Sequence, residues 1–490
     1  MSTILAKEGY LLKKSKFDKE VIVNLKRELM VQPQQNFKGV KKKAVRYPVY
    51  QESEKYLCIP KFYGLKKFGK PEKNKEPKGE KTNYEFKGAL RGDQQKDIFE
   101  KTKKSIDTTG GGLICAGCGV GKTFMGLYIA HHYKVKTLVI VHKTFLLNQW
   151  KEEIKNFTTA KVGIIQQDKA EVEGNDIVIG MLQSIAKEKY DQDIFNDFGM
   201  VIFDEAHHAP SEYFSKALPI INCKLSLALS ATPKRADKME KVLYWYLGDI
   251  CYKAPPKKNN NVNVDIYKYN LEHKKFAESY MYNGEVNRPR TLNRIVRLKK
   301  RNKFILKILF DIMEEKGRQV LLLSDRIEHL ETLKEKIEED NRYTVGYYVG
   351  GMKQKKLDES AECNIVLGSY GMASEGLNIP SLNTLIMTTP RKEVEQSVGR
   401  IMRKVHESIT PLVVDIVDQL PCFANQSMHR RRLYKRLDYN VTLHEVENNK
   451  ILSSTNISKD PVKGKKTPSQ QKYQKVDYGF TSSDDSDRED

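Results

Sequence analysis

The sequence predicts an α/β protein made of two successive parallel sheets, and three observations carry that expectation. The first is length: 490 residues exceed one ordinary core and suit two or three packed domains. The second is a set of short apolar runs, each ending in polar or Gly-rich residues and separated by amphipathic stretches. The third is that this series occurs twice, on either side of a polar interval over roughly residues 251–301. Strands alternating with helices imply a parallel sheet covered on both faces.

In the first series GGGLICAG, TLVIVHK, DIVIGM, GMVIFDEA and LSLALSAT read as buried strands. Residues 122–133 and 144–156 between them have helical spacing. The second series begins near Asn302 with RQVLLLSD, YTVGYYVG, CNIVLGSY, LNTLIMTT and PLVVDIVD. The expected organisation is a small basic N-terminal domain over 1–68, a linker over 69–87 and a first α/β domain over 88–252. A basic inter-lobe segment over 253–301, a second α/β domain over 302–448 and a disordered acidic tail over 449–490 follow. The linker assignment rests on GKPEKNKEPKGEKTN, which lacks apolar residues and is broken by Pro and Gly. The tail ends in SSDDSDRED, where Ser482, Ser483 and Ser486 resemble acidic-directed kinase sites; a solubilising tail is the plainer reading.

Charge narrows the partner. The chain holds 85 Lys and Arg against 63 Asp and Glu, a net +22, and residues 1–89 alone hold 22 against 10. A Lys run is usually a solvated face. Here aromatics interleave, as in Tyr47-Pro48-Val49-Tyr50 and Lys61-Phe62-Tyr63-Gly64, which suits a nucleic-acid surface. Hydrophobic residues at 39% exclude a wholly disordered basic protein. No apolar run approaches the ~18–20 residues of a membrane span, and the N-terminus lacks a secretion signal. Seven scattered cysteines fit free thiols in a reducing compartment. A soluble intracellular protein with no membrane partner is expected, and a monomer.

The strongest single site is Ala116-Gly117-Cys118-Gly119-Val120-Gly121-Lys122-Thr123, between a strand and a helix. Small residues let backbone N–H groups close around phosphate oxygens, and the helix turns its positive end toward them. Lys122 would reach the terminal phosphates and Thr123 would offer a hydroxyl to Mg²⁺. Ala116 stands where the usual loop has Gly. Cys115 and Cys118 have CxxC spacing, but no second pair follows at a zinc distance. Asp204-Glu205-Ala206-His207 follows the apolar run Met200-Val201-Ile202-Phe203, so two carboxylates lie just beyond a strand end. There Asp204 can hold Mg²⁺ while Glu205 orients or deprotonates an attacking water.

With these motifs the chain resembles the superfamily 2 helicases and translocases, and further elements follow in their order. Leu90-Arg91-Gly92-Asp93-Gln94 resembles the upstream Leu-Arg-x-x-Gln element, which implies adenine reading by Gln94 beside Arg91. Leu147-Asn148-Gln149-Trp150 resembles the end of motif Ia, implying strand contacts by Gln149 and Trp150. Ser230-Ala231-Thr232 resembles motif III, and Gly371–Pro380, with Gly376 and Asn378, is similar to motif V; both imply coupling of hydrolysis to movement. Gln396-Ser397-Val398-Gly399-Arg400-Ile401-Met402-Arg403 resembles motif VI. Two arginines three apart share a helix face, and Arg400 and Arg403 are the arginine-finger candidates, with Gln396 beside them. The resemblance covers about residues 88–440 and implies two tandem RecA-like domains using ATP and Mg²⁺.

Within the superfamily, the Gln-Trp pair and LALSATPKRADK point to the XPB-like branch and to helicases of large nucleocytoplasmic DNA viruses, the poxvirus transcript-release helicase included. Two departures stand out. The Arg-Glu-Asp element appears as Arg235-Ala236-Asp237, and Asn378 stands where many relatives have Asp. The eight basic groups of residues 288–303, among them Arg294 and Arg297, read either as a strand-contacting element or as a helix linking the lobes. His429-Arg430-Arg431-Arg432 reads as a phosphate contact. The expected activity is ATP-driven movement along nucleic acid, DNA ahead of RNA, in viral transcription or DNA repair and recombination. Transcription machinery is a candidate partner, and a viral source implies host cytoplasm, virus factories and packaging in the virion. The alternatives are an RNA helicase, a duplex translocase that separates no strands, and a non-hydrolysing scaffold.

Overall fold

The computed structural model describes residues 2–34, 45–117, 119–187, 189–211, 213–231, 235, 237–255, 261–375, 377, 379–402 and 409–458. They form two compact units, one built on residues 1–256 and the other on 257–373 and 379–490.

In the first unit a small N-terminal module precedes an α/β lobe. The module runs β1 (Thr3–Ala6), β2 (Gly9–Lys13), α1 (Lys19–Glu28), β3 (Met30–Val31), β4 (Tyr47–Pro48), β5 (Gln51–Glu52), β6 (Tyr56–Ile59), α2 (Lys61–Phe68) and β7 (Lys73–Asn74). Five strands form a sheet in the order β5-β6-β2-β1-β7, and β3 pairs with β4. Buried polar contacts fix the module to the lobe. Lys61 is 2% exposed, pairs with Glu76 at 2.7 Å and donates to the carbonyls of Cys223 and Lys224. Lys7 Nζ donates to Phe195 O at 2.7 Å and Tyr246 OH to Val49 O at 2.9 Å. Burial pushes both ammonium groups below the ordinary lysine range.

The stretch 69–87, expected as a linker, is laid against the lobe. Strand β7 pairs with β1, Glu80 N–H donates to Asp197 O at 2.8 Å, and Lys87 N–H donates to Phe157 O at 2.6 Å. Its polar residues have a local use: the ammonium of Lys136, 1% exposed, meets Glu80 at 2.6 Å.

The lobe continues with α3 (Gly92–Thr109), β8 (Gly111–Cys115), α4 (Lys122–Tyr133), β9 (Thr137–Val141), α5 (Thr144–Phe157), β10 (Val162–Gln166), β11 (Lys169–Ala170) and β12 (Ile177–Met181). Then come α6 (Leu182–Ile185), β13 (Met200–Phe203), α7 (Ala217–Ile220), β14 (Leu225–Ser230), α8 (Glu240–Leu247) and β15 (Ile250–Lys253). The sheet order is β11-β10-β12-β9-β13-β14-β8-β15, parallel throughout except at β10–β11. Alternate residues of each central strand enter two cores: Leu138 and Ile140 one, Val139 and Val141 the other. The apolar runs are continuous because both faces are covered.

The second unit runs β16 (Asn263–Asn270), α9 (Arg288–Ile295), α10 (Lys299–Met313), β17 (Val320–Ser324), α11 (Ile327–Asp340), β18 (Val345–Tyr348) and α12 (Gln354–Ala361). It continues through β19 (Ile365–Ser369), α13 (Tyr370–Glu375), β20 (Thr384–Met387), α14 (Glu395–Val398), β21 (Leu412–Asp418), α15 (Ala424–Arg436), β22 (Asn440–Glu447) and β23 (Lys450–Asn456). The order is β18-β19-β17-β20-β21-β16-β22-β23, with only the last pair antiparallel.

Two sequence expectations change here. The segment 253–301 is not only a connector: β16 lies inside the second sheet, bonded to β21 on one side and β22 on the other. The tail does not begin at 449, since β23 extends the sheet to Asn456 by pairing with β22. Hydrogen bonding rather than burial holds β23, whose residues are all exposed: the backbone ladder to β22 is joined by Ser454 Oγ on His444 Nδ1 at 2.7 Å and by Asn456 Nδ2 donating to Asn440 Oδ1 at 3.0 Å. Residues 459–490, with the serines of the acidic motif, lie outside the described residues.

Candidate active site

In the first lobe three motif loops leave the C-terminal ends of the neighbouring strands β13, β14 and β8, the end at which parallel sheets bind ligands. Strand β8 ends at Cys115, and the glycine loop leads into α4. Gly119 and Gly121 have φ of +81° and +80°, which side chains avoid. A Cβ on Gly117 or Gly119 would meet nothing within 4 Å, so the loop is open to a ligand. Lys122 Nζ lies 3.0 Å from Ala116 O and 3.2 Å from Gly117 O, and Thr123 stands in the first turn of α4. Ala116 N–H donates to Ser230 O at 3.1 Å, tying the loop to β14. Val120 is buried and Cys118 lies outside the described residues.

Of the upstream element, Arg91 is exposed and Gln94 half-buried. The side chain that reaches the loop is Gln95, which the sequence reading passed over. Its Nε2 donates to Val120 O at 3.2 Å, while its Oε1 accepts from Arg91 N–H at 2.7 Å. Gln95 therefore braces the loop from α3.

Asp204 and Glu205 follow β13 and are 7% and 8% exposed. Asp204 Oδ2 accepts from Trp150 Nε1 at 2.8 Å, and Oδ1 accepts from Glu205 N–H at 2.9 Å. Glu205 has φ +46° and ψ +49°, a left-handed conformation costing a non-Gly residue roughly 1–2 kcal/mol. Such strain is retained where the surroundings over-determine it, often at functional sites. The turn brings His207 Nδ1 to 3.1 Å from Ser230 Oγ and 3.4 Å from Glu205 Oε2. His208 stacks between His142 and His207, with ring centroids 4.0 and 4.3 Å away. Arg235 donates through one terminal nitrogen to the His207 carbonyl and grips Asp237 at 2.8 and 2.6 Å. The Arg-Ala-Asp element thus braces the acid-bearing turn. Ala236 and Thr232 are outside the described residues.

Trp150 requires a correction. Expected as a strand contact, it is fully buried, with its indole N–H on Asp204. Leu146, Leu147, Trp150 and Ile154 form the buried face of α5, a spacing of three and four that is itself the signal for a core position. Gly126 makes room for the ring, since a Cβ there would lie 3.0 Å from its edge. Gln149, one residue earlier, is half-buried.

The donor set suits a hard cation. Asp204 uses each oxygen for one N–H and keeps acceptor capacity on both, and Thr123 adds a hydroxyl. No group of three or more His, Cys, Asp or Glu forms a metal cage among the described residues. Mg²⁺ is commonly held by one or two carboxylates with substrate phosphates rather than by such a cage.

In the second unit Gln396 lies half-buried on α14. Arg400 falls in the 3₁₀ turn Gly399–Met402, is 5% exposed, and donates through Nε to Ala373 O at 2.8 Å. Arg403, Gly376 and Asn378 are outside the described residues. The segment is held from α15 and just beyond it: Arg436 pairs with Glu395 at 2.6 Å and Tyr439 OH donates to Met402 Sδ at 3.5 Å. Arg430 is no phosphate contact. It is 2% exposed, bonded to Asp415 at 2.8 Å and to the Arg391 carbonyl, and Tyr434 OH shares Asp415 at 2.9 Å.

The basic stretch 288–303 is similarly divided. Arg301 is fully buried against Asp418 at 2.6 and 2.9 Å. Arg294 donates to Ala277 O at 2.6 Å, and Arg297 makes a two-point pair with Glu328 at 2.9 Å. Both residues expected to touch nucleic acid thus already have intramolecular partners.

Comparison with known proteins agrees with this architecture. Residues 89–235 match the family described as the type III restriction enzyme res subunit, and residues 300–405 match the helicase conserved C-terminal domain. A candidate ATP-dependent RNA helicase of Acanthamoeba polyphaga mimivirus is 38% identical over 457 residues, covering 90% of this chain and 86% of that protein. A candidate ATP-dependent RNA helicase of African swine fever virus is 26% identical over 376 residues, covering 71% and 73%. Among solved structures, a fragment of a candidate HsdR subunit of a type I restriction enzyme from Vibrio vulnificus superposes with TM-score 0.51 at 14% identity, covering 73% and 69%. The chain belongs to the superfamily 2 helicases, with two tandem RecA-like domains, and is an ATP-hydrolysing enzyme that binds nucleic acid. No helix among the described residues is long and apolar enough to cross a membrane.

Proposed function

We propose that the protein hydrolyses ATP with Mg²⁺ to move along a strand of nucleic acid, DNA in the first instance. One observation carries the reading: His207 Nδ1 stands 3.1 Å from Ser230 Oγ, so the acid-bearing turn is linked to the strand end that also holds Ala116. These two hydrogen bonds, His207 to Ser230 Oγ and Ala116 N–H to Ser230 O, support a coupling of the phosphate loop and the acid pair to motif III.

In this reading the loop N–H groups and Lys122 bind the phosphates, Thr123 and Asp204 hold Mg²⁺, and Glu205 positions and deprotonates the attacking water. Mg²⁺, when bound, neutralises charge on the phosphate oxygens. Gln94 and Arg91 serve the base, Arg400 and Arg403 stabilise transition-state charge, and Gln396 aids them. Ser230, Thr232, Gly376 and Asn378 couple hydrolysis to movement. Grip on the strand is mostly phosphate-directed, independent of sequence and sensitive to salt.

DNA comes first because the first lobe matches a restriction-enzyme family. RNA is the second reading, favoured by the names of the mimivirus and African swine fever virus relatives. ATP turnover measured with single- and double-stranded DNA and RNA, followed by strand displacement, separates the readings. Stimulation by RNA alone would remove the first, and stimulation by duplex DNA without displacement would leave a translocase.

A further inference from the structure

Between β16 and α9 the chain makes a short hairpin that no motif accounts for. Tyr280 and Val286 form an antiparallel bridge, Met281 N–H donates to Glu285 O at 2.7 Å, and Gly284 N–H closes the turn onto Met281 O at 3.0 Å. Gly284 has φ +79°, as a tight turn ending in a left-handed residue requires. This puts Tyr282 at the tip. Its relative exposure is 112%, the highest among the exposed large hydrophobics, and Tyr280 two residues earlier is 56% exposed. An aromatic ring wholly in water gains nothing for the fold, since apolar area stabilises only when removed from solvent.

The hairpin is rigidly mounted beside unpaired cations. Asn287 N–H donates to Ser279 O at 2.6 Å and Ser279 N–H to Thr291 Oγ1 at 2.9 Å, while the Asn287 side chain caps α9 by accepting from Arg290 N–H at 3.0 Å. These bonds staple the base of the turn to the first turn of α9, where Arg288 and Arg290 are exposed. Neither guanidinium makes an ion pair or side-chain hydrogen bond among the described residues, unlike Arg294, Arg297 and Arg301 further along. The acids of the segment are engaged locally: Glu278 accepts from Cys422 N–H and Tyr280 OH, and Glu285 accepts from Asn283.

We propose that the 280–286 hairpin is a nucleic-acid-binding element in which Tyr282 stacks on an unpaired base while Arg288 and Arg290 hold the adjoining phosphates. The occupant is a single strand: a stacked base must be splayed from its neighbours, and the two arginines supply the complementary charge. The ring reads a π-face common to all bases, so the element adds grip without sequence preference. This proposal rests on the reading of the protein as a nucleic-acid motor.

The test compares oligonucleotides that carry bases with abasic strands of equal length and charge, as DNA and as RNA. The full-length protein is measured for binding and for stimulated ATP turnover. Wild type is expected to prefer base-bearing strands, and Tyr282→Ala to weaken that binding on the order of 5- to 100-fold with abasic binding unchanged. Tyr282→Phe keeps the ring and should behave as wild type. Arg288→Ala/Arg290→Ala should weaken both strand types equally and flatten the salt dependence. Turnover without nucleic acid should be the same in all variants. A Tyr282→Ala protein with wild-type preference for bases, or a Tyr282→Phe protein as impaired as Tyr282→Ala, would overturn the stacking role. If the wild type bound no nucleic acid at all, the underlying motor reading would fall instead, and that result cannot be confused with the others.

Discussion

Replacing Trp150 by Phe removes one N–H donor from Asp204 and leaves most of the ring in place. In the structure this donor lies 2.8 Å from Asp204 Oδ2, and both residues are buried. Water cannot readily take its position. A hydrogen bond to a charged group contributes about 1.5–3 kcal/mol, and each ~1.4 kcal/mol is a factor of ten in rate or affinity. If Asp204 is the Mg²⁺ ligand, its freed oxygen rotates away from the geometry the cation needs. ATP turnover should then fall on the order of 10- to 100-fold, with a higher Mg²⁺ requirement that partly rescues it. The smaller ring also leaves a gap against Gly126, Ile202 and Leu229, costing about 1–3 kcal/mol of stability. The assay is steady-state ATP turnover across a Mg²⁺ titration, with nucleic-acid binding measured in parallel. Unchanged turnover and Mg²⁺ dependence would reduce the contact to packing. Lost strand binding with intact turnover would restore the surface role the sequence suggested.

Other predictions concern single contacts. Gln95→Ala removes the brace on Val120 O and should raise KM for ATP about fivefold, the worth of a bond near 1 kcal/mol; an unchanged KM would exclude the brace. Asp418→Ala leaves Arg301 charged and buried, so chemical denaturation should show a loss of about 3–5 kcal/mol, largely recovered by Arg301→Met/Asp418→Leu. His329 is pushed down to about 3, chiefly by burial and then by the Arg301 charge. Its folded pKa lies below the unfolded value near 6.5, so its contribution is full above pH 6.5 and is lost as pH falls toward 3, by roughly 1.4 kcal/mol per unit. Urea unfolding of His329→Gln should depend less on pH between 6.5 and 5 than wild type; identical slopes would dismiss the histidine as the source.

The parallel sheets were legible because strands buried on both faces must carry continuous apolar runs, as 138–141 and 320–323 do. The placement of the glycine loop after β8 and of Asp204 and Glu205 after β13 was legible because each follows an apolar run that can only be a buried strand. Other features were hidden for physical reasons. Strand Asn263–Asn270 interleaves Asp265 and Lys268 with its buried residues and sits in a polar interval, so charge masked it. Strand Lys450–Asn456 buries nothing and has no apolar pattern to read. Arg430 reads as a phosphate contact and Arg301 as part of a basic surface or linking helix because a one-letter code carries no burial. Their signal was on their partners: Asp415 and Asp418 lie in the wholly buried strand Leu412–Asp418, and buried carboxylates require buried counter-charges. The module contacts of Lys7 and Lys61 join residues over 160 positions apart in sequence, beyond any local pattern.

The central claim is that Lys122, Asp204 and Glu205 form an ATP site whose turnover serves movement on nucleic acid. It is tested most directly by measuring ATP hydrolysis and strand binding together in wild type, Lys122→Ala and Glu205→Gln. Wild-type turnover should rise when nucleic acid is added. Both variants should lose turnover, Glu205→Gln by on the order of 10²- to 10⁴-fold, while still binding the strand. Normal turnover in both folded variants would contradict the assignment.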